Sequence, residues 1–157
     1  MADLRIMPAE RGHVGLLASS LRLEDARECL AIGSQPFKSV WRSWRGSPQY
    51  RKTAFVDGQI AAMWGCGGAW LGYEGVPWLL TAPPVEVIKR QFLRECRAGI
   101  AEMLDLYPVL RNYVHNDYEK SIRFLRCLGF IIGDPVPIGK YGALFRTVTL
   151  ERRSWVQ

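Results

Sequence analysis

The sequence predicts an α/β fold: a mixed sheet with helices on both faces. Three observations carry this. The first is size and composition: 157 residues, 48% hydrophobic and 23% charged, suit one soluble globular domain over residues 1–157. The second is alternation of short strand-like runs with helix-period segments, in the order β-α-α-β-β-β-α-β-α-β. The third is a hairpin signal, Asp57-Gly58 between two apolar runs.

The elements follow in chain order. Leu4 to Met7 alternates and reads as a first strand. Residues 9–21 carry Val14, Leu17 and Leu21 at helical spacing, and residues 24–32 form a second helix that Gly33 stops. Pro36 to Lys52 reads as an irregular basic and aromatic stretch. Thr53 to Asp57 and Gln59 to Gly65 form the hairpin, and Gly65, Gly67 and Gly68 then break the pattern. Val76 to Thr81 is a further strand. Pro83-Pro84 opens a long helix with Val85, Ile88, Phe92, Cys96, Met103 and Tyr107 on one face, and Pro108 stops it. Leu110 to His115 is a strand. Asn116 or Asp117 caps a helix that runs to Leu128, with Gly129 left-handed at its end and Phe130 as the hydrophobic contact. A small strand lies near Val136, and Ala143 to Leu150 is the last strand.

Charge and cysteine narrow the function classes. Lys plus Arg number 21 against 15 Asp plus Glu, so the net charge is +6 and an anionic partner is favoured. Cys29, Cys66, Cys96 and Cys127 are widely spaced, without a Cys-x-x-Cys pair, so no zinc site is expected and the thiols read as reduced and mostly buried. There is no apolar run of about 20 residues and no secretion signal, which predicts a cytoplasmic protein without a membrane partner. Lys38, Arg42, Arg45, Arg51 and Lys52 share one acid-free stretch with Trp41, Trp44 and Tyr50. Such interleaving can hold nucleic acid through phosphate pairing and base stacking, or can be a surface loop with its aromatics packed inward. On a helical turn Trp41 and Trp44, three apart, would face one way.

The segment Ser121-Ile-Arg-Phe-Leu-Arg-Cys-Leu-Gly-Phe130, together with the element order, resembles the GNAT superfamily of acyl-CoA-dependent N-acyltransferases. The local match is confined to about residues 110–130. Asp25-Ala-Arg-Glu28 with Gly33, Trp78-Leu-Leu-Thr81 and Ser121-Ile-Arg-Phe124 also resemble short GNAT-like proteins of short-tailed bacteriophages, some of them internal virion proteins. The first resemblance implies a mostly antiparallel sheet whose fourth and fifth strands splay, with acetyl-CoA entering the gap. Its pantetheine amides would pair with the backbone of Leu79, Leu80 and Thr81. Its pyrophosphate would sit on the following turn, near Val85 and Arg90, with Asn116 and Ser121 also on the cofactor side. Trp41, Arg42, Trp44 and Arg45 would lie on the acceptor or partner side.

The sequence also departs from the family pattern. The cofactor turn reads Thr81-Ala-Pro-Pro-Val-Glu-Val87 and holds no glycine. Pro83 and Pro84 lack N–H donors, and Glu86 brings negative charge to a phosphate position, with Arg90 one turn on to offset it. Leu125 stands where many members carry a general-acid Tyr; relatives of the ribosomal-protein acetyltransferases also have an aliphatic residue there. Amine acetylation needs a base and oxyanion donors. Glu74 and His115 are the candidates for the base, set against a solvated turn residue and a strand-end histidine. Cys66 and Cys127 are nucleophile candidates set against inert buried thiols. Two function classes stand open: an acetyl-CoA-dependent N-acetyltransferase acting on a primary amine, and a catalytically silent GNAT-like protein that assembles, as an oligomer, in a phage particle or binds a host factor.

Overall fold

The computed structural model describes residues 1–69 and 71–155. Its strands and helices run β1 (Leu4–Pro8), α1 (Arg11–Ala18), α2 (Leu23–Ile32), α3 (Pro36–Arg45), β2 (Arg51–Val56), β3 (Gln59–Ala69), β4 (Glu74–Thr81), α4 (Lys89–Leu106), β5 (Val109–His115), α5 (Glu119–Cys127), β6 (Ile131–Val136) and β7 (Phe145–Glu151). A 3₁₀ segment over Pro83–Ile88 precedes α4. The sheet order is β1-β2-β3-β4-β5-β7-β6, and every pairing is antiparallel except β4 with β5.

Local chemistry explains most of these elements. Asp57 (φ 48°) and Gly58 (φ 79°) both take positive φ, so Val56 pairs Gln59 across a two-residue turn matched to sheet twist. Gly33 ends α2 at φ 88°. Gly129 takes φ 101° after α5, the Phe130 N–H returns to the Leu125 carbonyl at 3.0 Å, and the Phe130 side chain is buried.

Three elements differ from expectation. Pro36 to Arg45 is the helix α3, not an irregular stretch: Pro36 sits in its first turn, and Val40, Trp41 and Trp44 turn inward. Strand β3 continues through Gly65, Gly67 and Gly68 to Ala69. Its glycines make room rather than breaking the strand, since a Cβ at Gly65 would stand 2.9 Å from the Trp78 ring. Pro83-Pro84 opens the 3₁₀ segment, and α-helical bonding begins only at Lys89.

Two apolar clusters lie on the two faces of the sheet. Val14, Leu17 and Val40 from α1 and α3 meet Ile60 and Met63 in one. Phe92, Ile100, Met103 and Leu104 of α4 join Ile122 of α5, Trp64, Leu110 and Val148 in the other. At the β4–β5 boundary one parallel contact joins two antiparallel halves of the sheet.

Candidate functional site: the splay between the fourth and fifth strands

Strands β4 and β5 pair only at Glu74 with Val109 and at Gly75 with Leu110, and then separate. Beyond Gly75 the two strand edges face each other without a ladder. The antiparallel ladder to β3 consumes alternate residues of β4. Ala82 donates to the Ala61 carbonyl at 2.8 Å on that side, whereas the Pro77 carbonyl accepts from Asn112 Nδ2 at 2.6 Å on the other. Residues 77, 79 and 81 therefore turn their backbone groups toward the splay. Leu80 turns its own toward β3.

Each splay-facing position can be accounted for. Pro77 has no N–H, and Asn112 uses its carbonyl. Thr81 is fully engaged by the region around α2: Asp25 accepts from its N–H (3.2 Å) and its hydroxyl (2.6 Å), while its carbonyl accepts from the Arg22 N–H (2.9 Å). Leu79 is left, with no partner for its N–H or its carbonyl among the described residues. On β5, the His115 N–H donates to Glu28 Oε1 at 3.0 Å and the Tyr113 N–H to Asn112 Oδ1 at 2.8 Å.

Arg22, Asp25 and Glu28 recur every third residue, so they lie along one side of α2. Through them α2 bridges the open end of the splay, tied to β4 at Thr81 and to β5 at His115. Burial raises both carboxyls. Glu28 is pushed up to about 7, first by burial and further by the Asp25 charge, against the lowering effect of the His115 N–H. Asp25 is also raised by burial, with its Thr81 bonds and Arg22 opposing. Local spacing does not show these contacts, because Asp25 and Glu28 reach 56 and 87 residues along the chain.

The two base candidates are not brought together. Glu74 lies where the strands are still joined, 3.8 Å from Arg111. His115 lies six residues past Val109, about 20 Å along the strand direction. The His115 ring stacks on Tyr118 (centroids 4.6 Å apart) and meets Phe145 edge-on (5.1 Å). Its Nδ1 accepts from the Asp117 N–H at 3.1 Å, which leaves Nε2 to carry the proton of the neutral ring.

Around the expected phosphate turn, Val85 is buried and Arg90 is exposed. Glu86 is held by Lys89 Nζ at 2.6 Å and Arg22 Nη1 at 3.2 Å. The Lys89 hydrogen bond and the charges of Arg22 and Lys120 lower its carboxyl against slight burial. Asn116 Oδ1 accepts from Arg146 Nε of β7 at 2.8 Å. Ser121 is half-buried in the first turn of α5.

The basic stretch divides in two. Arg51 packs over the Trp44 ring at 4.0 Å and donates to the Trp44 carbonyl, while Lys52 pairs with Glu102 at 2.8 Å. Trp41 and Trp44 do face one way, with centroids 5.3 Å apart, and Trp44 Nε1 donates to the Ala9 carbonyl. Of the basic residues, Lys38, Arg42 and Arg45 remain exposed on α3, with no ion pair among the described residues. A hollow of about 230 Å³ lined by Arg11, Val14, Phe37 and Trp41 lies beside them.

Burial pushes the Cys66 and Cys96 thiols up to about 12, which makes both poor nucleophiles. All four cysteines are free, and Cys127 is exposed. Among the described residues no cluster of three His, Cys, Asp or Glu is placed to hold a metal ion, and no helix is long and apolar enough to cross a membrane.

No protein-family profile matches the chain, and no curated protein matches it. Solved structures do. The acetyltransferase of the GNAT family from Streptococcus pneumoniae superposes with a TM-score of 0.64 at 14% identity, covering 95% of this chain and 99% of that one. The N-acetyltransferase from Staphylococcus aureus Mu50 gives 0.65 at 13% identity, with 95% and 98% covered. The Salmonella typhimurium protein yncA, solved with its cofactor acetyl-CoA, gives 0.60 at 15% identity, with 98% and 96% covered. A splayed parallel pair inside an otherwise antiparallel seven-stranded sheet, and these matches along nearly the whole chain, show that it has a GNAT-like fold.

Proposed function

We propose that the chain binds an acyl-CoA, acetyl-CoA being the simplest, in the β4–β5 splay and transfers the acyl group to a primary amine. The observation that carries this is the unpaired backbone of Leu79. A strand in mid-sheet with a free N–H and a free carbonyl facing a gap offers a donor and an acceptor to an extended amide. Pantetheine is such an amide chain. Leu80 contributes its side chain to the α1–α3 side of the sheet, and Thr81 becomes available only if Asp25 and Arg22 release it.

The residues that would assist chemistry lie on α2 and β5. Glu28, poised near neutral pH beside the strand-end His115, is the better-placed group to take a proton from an ammonium at the open end of the splay. Glu74, paired with Arg111 at the joined end, would serve only an acceptor that reaches that far. Direct attack of the amine on the thioester carbonyl expels CoA thiolate, which takes up the proton; Leu125 supplies no acid to it.

A second reading, a silent GNAT-fold protein that acts by binding a protein or an assembly, is favoured by one observation. Pro83 and Pro84 offer no N–H donors to a diphosphate, and Glu86 already holds Arg22 and Lys89. One experiment separates the two. The protein is incubated with acetyl-CoA and a panel of primary amines, and free thiol is followed, with Leu79→Pro as control. Amine-dependent thiol release that Leu79→Pro weakens at subsaturating acetyl-CoA supports the enzyme; no release with any amine supports the silent reading.

A further inference from the structure

Helix α3 sets an aromatic residue before a cation three times: Phe37-Lys38, Trp41-Arg42 and Trp44-Arg45. At helical spacing the aromatics line one side and the cations the next, in two stripes that each rise about 10 Å. Two of the aromatics are fixed in a ladder. Arg11 of α1 lies over the Trp41 ring at 5.4 Å, Trp41 stands 5.3 Å from Trp44, and Arg51 covers Trp44 at 4.0 Å. Phe37, one turn nearer the start of α3, is 54% exposed. With Arg11, Val14 and Trp41 it lines the hollow of about 230 Å³. Neither α1 nor α3 carries an acidic residue. Among the described residues no ion pair engages Arg11, Lys38, Arg42 or Arg45.

We propose that the α1–α3 face binds single-stranded nucleic acid without sequence preference. The phosphates would run along Lys38, Arg42 and Arg45, with one base in the hollow against Phe37 and Trp41. The unpaired cation stripe supplies the charge that a phosphate backbone complements. An acidic protein segment would use those cations too, but it has no planar ring to lay on Phe37. An unpaired base does, and it stacks there whatever its identity. In a duplex the bases already stack on one another, so Phe37 has nothing to receive. The surface shares no residue with the β4–β5 splay, so the proposal stands or falls independently of acyl-CoA binding.

The test is fluorescence anisotropy of a labelled oligothymidylate of about 15 nucleotides, titrated with the full chain from low to high salt. Polyglutamate and a DNA duplex of the same length are the competitors. The proteins are wild type, the triple variant Lys38→Gln with Arg42→Gln and Arg45→Gln, Phe37→Ala and Phe37→Leu. All four altered side chains are exposed, and thermal unfolding checks that each variant stays folded. Each neutralised phosphate adds about 0.7 to the salt slope of a single strand, so the triple variant should have a slope shallower by about 2. Phe37→Ala should weaken oligothymidylate about fivefold or more and leave the slope unchanged. Phe37→Leu keeps an apolar side chain in the hollow but loses the ring, and should weaken it likewise. Polyglutamate and duplex should compete poorly. No binding of oligothymidylate at low salt overturns the proposal, and so does a triple variant with the wild-type slope. Polyglutamate or duplex competing as well as the single strand, with Phe37→Ala and Phe37→Leu both silent, also overturns it and points to an acidic protein or a duplex instead.

Discussion

Glu28→Gln should make the protein more stable at pH 8, although it removes a charged residue that bridges two elements. Among the described residues Glu28 makes one side-chain hydrogen bond, accepting the His115 N–H at 3.0 Å. Glutamine keeps an oxygen in that place. What it removes is a carboxylate that burial and Asp25 disfavour, shown by a pKa lifted from the ordinary 4.5 to about 7. A carboxyl raised on folding binds more protons in the native state than in the unfolded chain between those two values. Stability from this group therefore falls as pH rises from about 4.5 to 7, and the full cost is present above 7. At about 1.4 kcal/mol per pH unit, the cost is on the order of 3 kcal/mol at most. Urea unfolding of wild type and Glu28→Gln at pH 4, 6 and 8 reads it out. The variants should coincide at pH 4 and diverge by about 1–3 kcal/mol at pH 8, with Glu28→Gln the more stable. A variant less stable at pH 8, or one that keeps the wild-type pH slope, would refute the buried-carboxylate reasoning.

Other expectations are open to direct measurement. Leu79→Pro removes a donor that takes no part in the β3 ladder, so the protein should stay folded by circular dichroism while acetyl-CoA affinity falls about five- to tenfold. Gly75→Ala should destabilise by about 2 kcal/mol or more in denaturant titration, since its Cβ would stand 2.6 Å from both Cys66 Sγ and the Tyr107 ring. A thiol reagent at pH 8 should label exposed Cys127 first and reach Cys66 only as the protein unfolds, which mass spectrometry of partly labelled protein would show. Arg42→Ala with Arg45→Ala should reduce the salt slope of polyanion binding if the outer face of α3 contributes to it; an unchanged slope removes that face from consideration.

Local signals in the sequence carried much of the fold. Asp57-Gly58 specified a turn, Gly33 and Gly129 specified helix ends, and the apolar face from Phe92 to Tyr107 specified α4. Helix α3 was hidden because its cations interrupt the eye, yet Phe37, Val40, Trp41 and Trp44 already stand at helical spacing behind Pro36. The glycines of β3 misled for a different reason. A glycine that ends a strand and a glycine that admits Trp78 look alike until the neighbouring strand is in place.

The site was legible only as a location. Leu79 to Thr81 and the Glu86 turn could be placed at a splay only through the resemblance to the GNAT superfamily, and charge at Glu86 could be noted. That Thr81 is consumed by Asp25, that Glu28 reaches His115, and that Arg22 answers Glu86 are pairings across 56, 87 and 64 residues. Period and propensity act over one or two turns and are silent about such pairings. The i, i+3 spacing of Arg22, Asp25 and Glu28 was the one available hint that a charged side of α2 faces something specific.

Acyl-CoA binding in the β4–β5 splay is open to one direct measurement. Calorimetric titration of the wild-type protein with acetyl-CoA at pH 8 tests this directly. Saturable one-to-one binding in the micromolar range, with a negative heat-capacity change as the acyl-pantetheine chain is buried, is the result expected. No binding at millimolar acetyl-CoA would contradict it.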